Sequence, residues 1–213
     1  MKFNVEVVFN ERQFKNHILR AYVDREKQKF PVIKPAIEAR VRDILANALL
    51  RSKTYLSLAS ADFGALRAHF GLTNASQKAT SVVQFWVDSI HIKHYPTKKG
   101  SRFDIIFSKS DFSDVLSQPY AFQEATPSSF SLPWLKWLLL EGSGTIISNF
   151  HYTSNRVTQK YSRTNTGIML PKGTWRVPAW AAGTQYDNWF TRVFQENLHI
   201  FHQAIYSEIS KAL

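Results

Sequence analysis

Two pairs of histidines stand three residues apart in this chain, His91 with His94 and His199 with His202, and its tightest acidic grouping is Asp104, Asp111 and Asp114. Imidazoles and carboxylates are the groups that hold catalytic or structural cations. His91-Ile92-Lys93-His94 reads as a strand, where residues i and i+3 point to opposite faces, so that pair is a poor chelate. His199 and His202 share a helix face but lack a third ligand at metal spacing. The three aspartates describe at most a small metal-dependent nuclease, and their spacing is common by chance. Gly142-Ser143-Gly144 lacks the strand–Ser–helix pattern of a nucleophile elbow and reads as a helix stop. No glycine-rich phosphate cradle occurs. The chain has no cysteine, which excludes disulfides and thiolate metal sites. These residues point to no catalytic group, no metal and no cofactor.

Contact is better represented than chemistry. The net charge is +11 and the pI near 9.9, a balance that favours a polyanion, either nucleic acid or an acidic protein surface, over a merely solvated basic face. Lys93, His94, Lys98, Lys99 and Arg102 crowd one hairpin tip. Arg156, Lys160 and Arg163 share a Ser/Thr/Asn-rich loop with Tyr161, inside a stretch of 45 residues, Gly142–Tyr186, without Asp or Glu. Such loops meet phosphates or an acidic neighbouring subunit. Trp175, Arg176, Trp180 and Trp189 flank a Pro/Ala/Gly-rich corner and are candidates for an interface. Trp86, Trp134 and Trp137 lie on apolar stripes and belong to the core.

The elements that must position these groups follow from periodicity. Phe3, Val5, Val7 and Phe9 alternate as in a strand. A helix is predicted over Glu11–Glu26, with Phe14, Ile18, Leu19, Tyr22 and Val23 on its stripe. After the punctuation of Pro31, Pro35 opens a second helix to Arg51. Helices follow at Ala61–Phe70, stopped by Gly71, and at Ser76–Asp88. Strands at Ser89–Tyr95 and Arg102–Phe107 make a hairpin. Ser117–Ser131 reads as an exposed loop. Leu132–Leu140 is a short helix with Pro133 in its first turn. Thr145–Thr153 is a strand, with Gly167–Leu170 and Trp175–Val177 as short strands of the same sheet. From Tyr186 to the end a helix with Phe190, Val193, Phe194, Leu198, Phe201 and Ile205 on one face is long enough to cross a whole sheet. The order argues for a single α+β domain over residues 1–213, its mostly antiparallel sheet packed by helices. A long C-terminal helix, a projecting hairpin at about 90–105 and a loop at about 153–166 complete it. No signal peptide or membrane span is read from the sequence, and the expectation is a soluble protein made in a cytoplasm.

The succession Leu132-Pro133-Trp134-Leu135-Lys136-Trp137-Leu138-Leu139-Leu140-Glu141-Gly142, then Ser162-Arg163-Thr164 and Gly167-Ile168-Met169, then Trp175-Arg176-Val177-Pro178, then Ala182-Gly183-Thr184 and Asp187-Asn188-Trp189-Phe190-Thr191-Arg192, resembles virion structural proteins of tailed bacteriophages. Leu66–Leu72 resembles the same pattern more weakly. Those proteins act at the neck and upper tail, as head–tail connector or tail completion or terminator proteins. The resemblance implies a non-enzymatic subunit of the virion in a cyclic ring, sixfold or twelvefold. It also implies contacts with neighbouring neck or tail proteins and DNA passing through the channel. A basic nucleic-acid-binding protein without a virion role is the alternative.

Overall fold

The computed structural model describes residues 11–62, 64–97, 100–107, 109, 111–124, 131–154, 162, 164 and 166–212. The strand expected at Phe3–Phe9, and Lys98, Lys99, Arg156, Lys160, Tyr161 and Arg163, lie outside them.

The spine is α1, Glu11–Arg51, a single helix of 41 residues and about 60 Å long. The two helices expected around Pro31 and Pro35 are one. Both prolines are exposed and lie opposite the buried stripe Ile37, Val41, Leu45 and Leu49. The carbonyls of Lys27 and Pro31, deprived of their helical donors, therefore turn to water, and packing on the other face holds the helix together.

Ser52 then caps a helix that periodicity did not reveal, α2 (Lys53–Ala59), its Oγ accepting from the Tyr55 N–H at 3.2 Å. The helix expected at Ala61–Phe70 shortens to α3, Leu66–His69. Gly71 follows with φ 59°, the left-handed conformation that glycine adopts without a Cβ penalty. Helix α4 (Ala75–Asp88) buries Ala79, Val82, Val83, Trp86 and Val87, as its stripe requires.

Strands β1 (His91–Thr97) and β2 (Gly100–Ile106) form the expected antiparallel hairpin, with His94 opposite Phe103. It lies along α1. Glu38 accepts the Ile92 N–H at 2.9 Å, and Arg42 donates to the Ile90 carbonyl at 2.9 Å. A short helix α5 (Ser113–Leu116) precedes the segment expected to be an exposed loop, which itself holds a turn at Pro119–Ala121 and β3 (Gln123–Glu124). The last pairs with β4 (Ser131–Leu132). Buried Gln123 accepts from the Thr73 N–H at 2.9 Å and ties this segment to the core.

Helix α6 (Trp134–Lys136) continues as a π-helical turn over Trp137–Glu141, with Pro133 just before it rather than within its first turn. Strand β5 (Ile147–Thr153) pairs with β6 (Ile168–Trp175). The strand expected at Gly167–Leu170 runs on to Trp175, and Arg176 and Val177, expected in a second short strand, lie beyond its end. Strand β6 is irregular because Lys172 and Gly173 have positive φ (74° and 128°), facing a register shift near Asn149.

The C-terminal helical segment starts later than expected and is broken once. Helix α7 runs Trp189–Glu196 and α8 Leu198–Ala212, with Asn197 at φ −107° between them. It packs along α1 instead of crossing a broad sheet, because the strands among the described residues form three separate two-stranded ladders. The fold is α+β, small antiparallel sheets against helices with a long C-terminal helix. Among the described residues no helix is long and apolar enough to cross a membrane.

Candidate interaction surface

The described tryptophans between Leu132 and Arg192 are, Trp180 apart, scaffold. Trp134 and Trp189 are almost wholly buried, and Trp137 and Trp175 nearly so. The interface role expected for Trp175 and Trp189 is therefore not available in this chain: both are core. Their polar edges are satisfied inside, with Trp134 Nε1 donating to the Tyr120 carbonyl at 2.9 Å and Trp189 Nε1 to Ser52 Oγ at 2.8 Å. That is how a large amphipathic ring is buried without cost. Phe70 sits among Trp134, Trp137 and Trp175 at centroid distances of 5.8–6.5 Å. Trp86 meets Trp189 edge-on at 5.3 Å.

The Ala182–Arg192 corner is locked by its own residues. Asn188 and Thr191 form a reciprocal capping box that starts α7. Arg192 donates to the Trp180 carbonyl at 2.9 Å, the Ala182 carbonyl at 2.8 Å and both oxygens of Asp187. That bond set holds the Asp187 carboxyl below its usual range, hydrogen bonding to Arg192 being the main cause. Gly183 lies against the backbone of Leu138, where a Cβ has no space. Its N–H donates to the Trp137 carbonyl at 3.3 Å, and its own carbonyl accepts from Gly142 at 3.1 Å. This inserted strand of backbone takes up hydrogen bonds that a regular helix would use, which accounts for the π-helical turn at Trp137–Glu141.

The remaining expected contacts divide. Trp180 keeps 38% of its surface exposed, with Lys53 Nζ 4.3 Å from its ring centre. Arg176 is exposed. Arg102 is on the outer face of the hairpin, stacked over Tyr95 at 4.9 Å and paired with Asp104 at 3.0 Å.

That pairing, with the loop geometry, decides the aspartate question. Asp104 is occupied by Arg102, while Asp111 accepts the Ser113 N–H and Asp114 accepts those of Lys109 and Val115, at 2.9–3.0 Å. The carboxylates shape the turn into α5 and do not converge. Among the described residues no three His, Asp or Glu side chains are grouped to hold a metal.

One buried polar cluster was invisible in the sequence. Ser101 Oγ donates to Glu26 at 2.5 Å, and His94 Nε2 lies 2.8 Å from the same hydroxyl. The imidazole is sandwiched between Phe30 and Phe103 at 4.8 and 4.9 Å. Serine, histidine and glutamate together suggest a nucleophile and its base, but the roles are reversed. The hydroxyl gives its proton to the carboxylate, so the imidazole nitrogen facing it must be the donor and cannot serve as a base. The side chains of His94 and Glu26 are also only 4% and 3% exposed, which closes them to a substrate. Burial pushes the His94 pKa below its ordinary value, against the pull of Glu26. The cluster pins the hairpin to α1.

A second histidine sits in a cavity of about 400 Å³ lined by Trp137, Tyr152, Met169 and Trp175 among others. His69 stacks on Tyr152 at 3.8 Å, and its Nδ1 accepts from Trp175 Nε1 at 3.3 Å. Burial lowers its pKa to about 4, partly opposed by a hydrogen bond to the Gly64 backbone. It is a neutral, fully engaged imidazole.

What the structure leaves unengaged is elsewhere. Val23 and Glu26 are buried, Glu26 against the hairpin, but every residue from Lys15 to Tyr22 is exposed. Ile18, Leu19 and Tyr22 keep 53%, 38% and 44% of their surface in water. An apolar groove of about 660 Å³ runs between β2 and α8, walled by Ile105, Phe107, Phe194, Leu198 and Ile209, with Tyr206 at its rim. The sequence does place Ile18 and Tyr22 on an apolar stripe. It does not say that this part of the stripe is left bare. Comparison with family models, curated proteins and solved structures finds no match to this chain.

Proposed function

We propose that this chain is a non-enzymatic structural subunit of a bacteriophage neck or tail junction, a connector or tail completion or terminator protein that assembles into a ring and joins head to tail. The observation that carries the reading is the exposed N-terminal part of α1. Eight consecutive exposed residues, Lys15–Tyr22, include three large apolar side chains, Ile18, Leu19 and Tyr22. A helix with a bare apolar face is finished by a partner. The residues resembling virion proteins support the same reading in a different way. The described ones among them build a packed aromatic scaffold, which a ring subunit under mechanical load requires.

The test is electron microscopy of the purified protein, with its mass measured by light scattering. Rings, or particles joined through the protein, are expected. A strict monomer whose binding to DNA weakens steeply with salt would refute the reading in favour of a nucleic-acid-binding protein.

A further inference from the structure

The cavity beside His69 has no part in joining subunits, yet it has the make-up of a binding site. It lies between α3, the π-helical turn and the β5–β6 ladder and measures about 400 Å³, many times the volume of a water and within the range of small-molecule sites. Three of the rings that line it, Phe70, Trp137 and Trp175, are buried and meet one another at centroid distances of 5.6–5.9 Å. The stacked pair His69–Tyr152 and the thioether of Met169 complete the aromatic part of the lining. Tyr152, Met169, Ile147 and Ile168 are only partly buried, so this wall of the cavity meets solvent.

The polar side chains of the lining are spent on the protein itself. His69 Nδ1 accepts from Trp175 Nε1, and the Tyr152 hydroxyl donates to the Thr166 carbonyl at 3.3 Å. Ser162 Oγ accepts the N–H groups of Thr164 and Gly167 at 3.2 and 3.4 Å. Among the described lining residues there is no Lys, Arg, Asp or Glu, and burial keeps the His69 imidazole neutral. A charged guest would lose its hydration here with nothing to replace it. A guest rich in hydroxyl groups would meet side chains already engaged. Ring faces, ring edges and a polarizable sulfur favour another ring instead.

We propose that this cavity binds a small uncharged aromatic molecule of one or two rings. The site is a property of the single chain, so it does not rest on the neck or tail role. The test is titration of the full-length protein at pH 7 with phenol, cyclohexanol, benzoate and benzylamine, probes of similar size that differ in ring character and charge. Binding is read by calorimetry and by NMR of isotopically labelled methionine methyls. The chain has two methionines, Met1 and Met169, and the signal that Met169→Leu removes is the one in the cavity. Phenol is expected to bind saturably, one molecule per chain, and to shift the Met169 methyl signal. Cyclohexanol should bind at least about fivefold more weakly, and neither charged probe should saturate. A Met169 signal that phenol leaves in place, cyclohexanol as tight as phenol, or a charged probe that matches phenol would each overturn the proposal. Met169→Trp puts an indole into the cavity and is expected to abolish phenol binding; a folded variant with unchanged affinity counts equally against the site. Should that variant fail to fold, the methyl shift in the wild type still decides.

Discussion

Acidification bears directly on the aromatic cluster around His69. Its imidazole titrates near 4 in the folded chain against 6.5 when unperturbed, burial being the main cause. The geometry agrees. Trp175 Nε1–H points at Nδ1, so a proton added there would face another donor. A base whose folded pKa is depressed binds fewer protons folded than unfolded between the two values. Stability is therefore fully present above about 6.5 and is lost as pH falls towards 4. The full difference corresponds to about 3.4 kcal/mol at 1.36 kcal/mol per unit, and the partly exposed edge of the ring reduces this to about 2–3 kcal/mol. The assay is urea unfolding followed by tryptophan fluorescence at pH 7, 6, 5 and 4.5, for the wild type and for His69→Asn. The asparagine carbonyl keeps an acceptor near the position of Nδ1 but cannot take up the proton. Between pH 7 and 4.5 the wild type should lose about 2 kcal/mol more than the variant, because part of the difference appears only below pH 4.5 and losses common to both, including that of His94, cancel. Equal slopes, or an imidazole signal for His69 titrating near 6.5 by NMR, would refute the reasoning.

Two further perturbations test how the scaffold is held. Gly183→Ala forces a methyl group into the Leu138 backbone, and because backbone cannot yield as a side chain does, it should cost about 3 kcal/mol or more, read as a lowered urea midpoint. Glu26→Ala removes the acceptor of Ser101 and the neighbour of His94. It should cost about 2–3 kcal/mol, with faster amide exchange in β1 and β2 while α4 keeps its protection; uniform exchange across the chain would show that the cluster does not tether the hairpin specifically.

Local rules determined much of this fold, because the forces involved act between residues close in sequence. The stripe of α4, the β1–β2 hairpin, the stop at Gly71 and the strand at β5 all follow from period, turn residues or glycine's freedom at positive φ. So does the core position of Trp86, Trp134 and Trp137. Propensity failed where tertiary packing outweighed it. Pro31 and Pro35 break a helix in isolation, yet α1 continues because its far face is anchored from Glu26 to Leu49 while the prolines face water. Asn197 interrupts a helix that a continuous apolar pattern predicts.

The site was less legible than the fold. A tryptophan beside Pro and Gly looks the same in sequence whether it meets a partner or fills a core. Trp175 and Trp189 became core only because His69 and Ser52, over a hundred residues away, supply acceptors for their indole N–H groups. In the same way the sequence determined that Ile18, Leu19 and Tyr22 share an apolar side of a helix, since that is a matter of 100° per residue. Only the tertiary structure decided that Val23 and Glu26 on that helix are buried while Ile18, Leu19 and Tyr22 stay exposed, because burial is set by where the other elements lie.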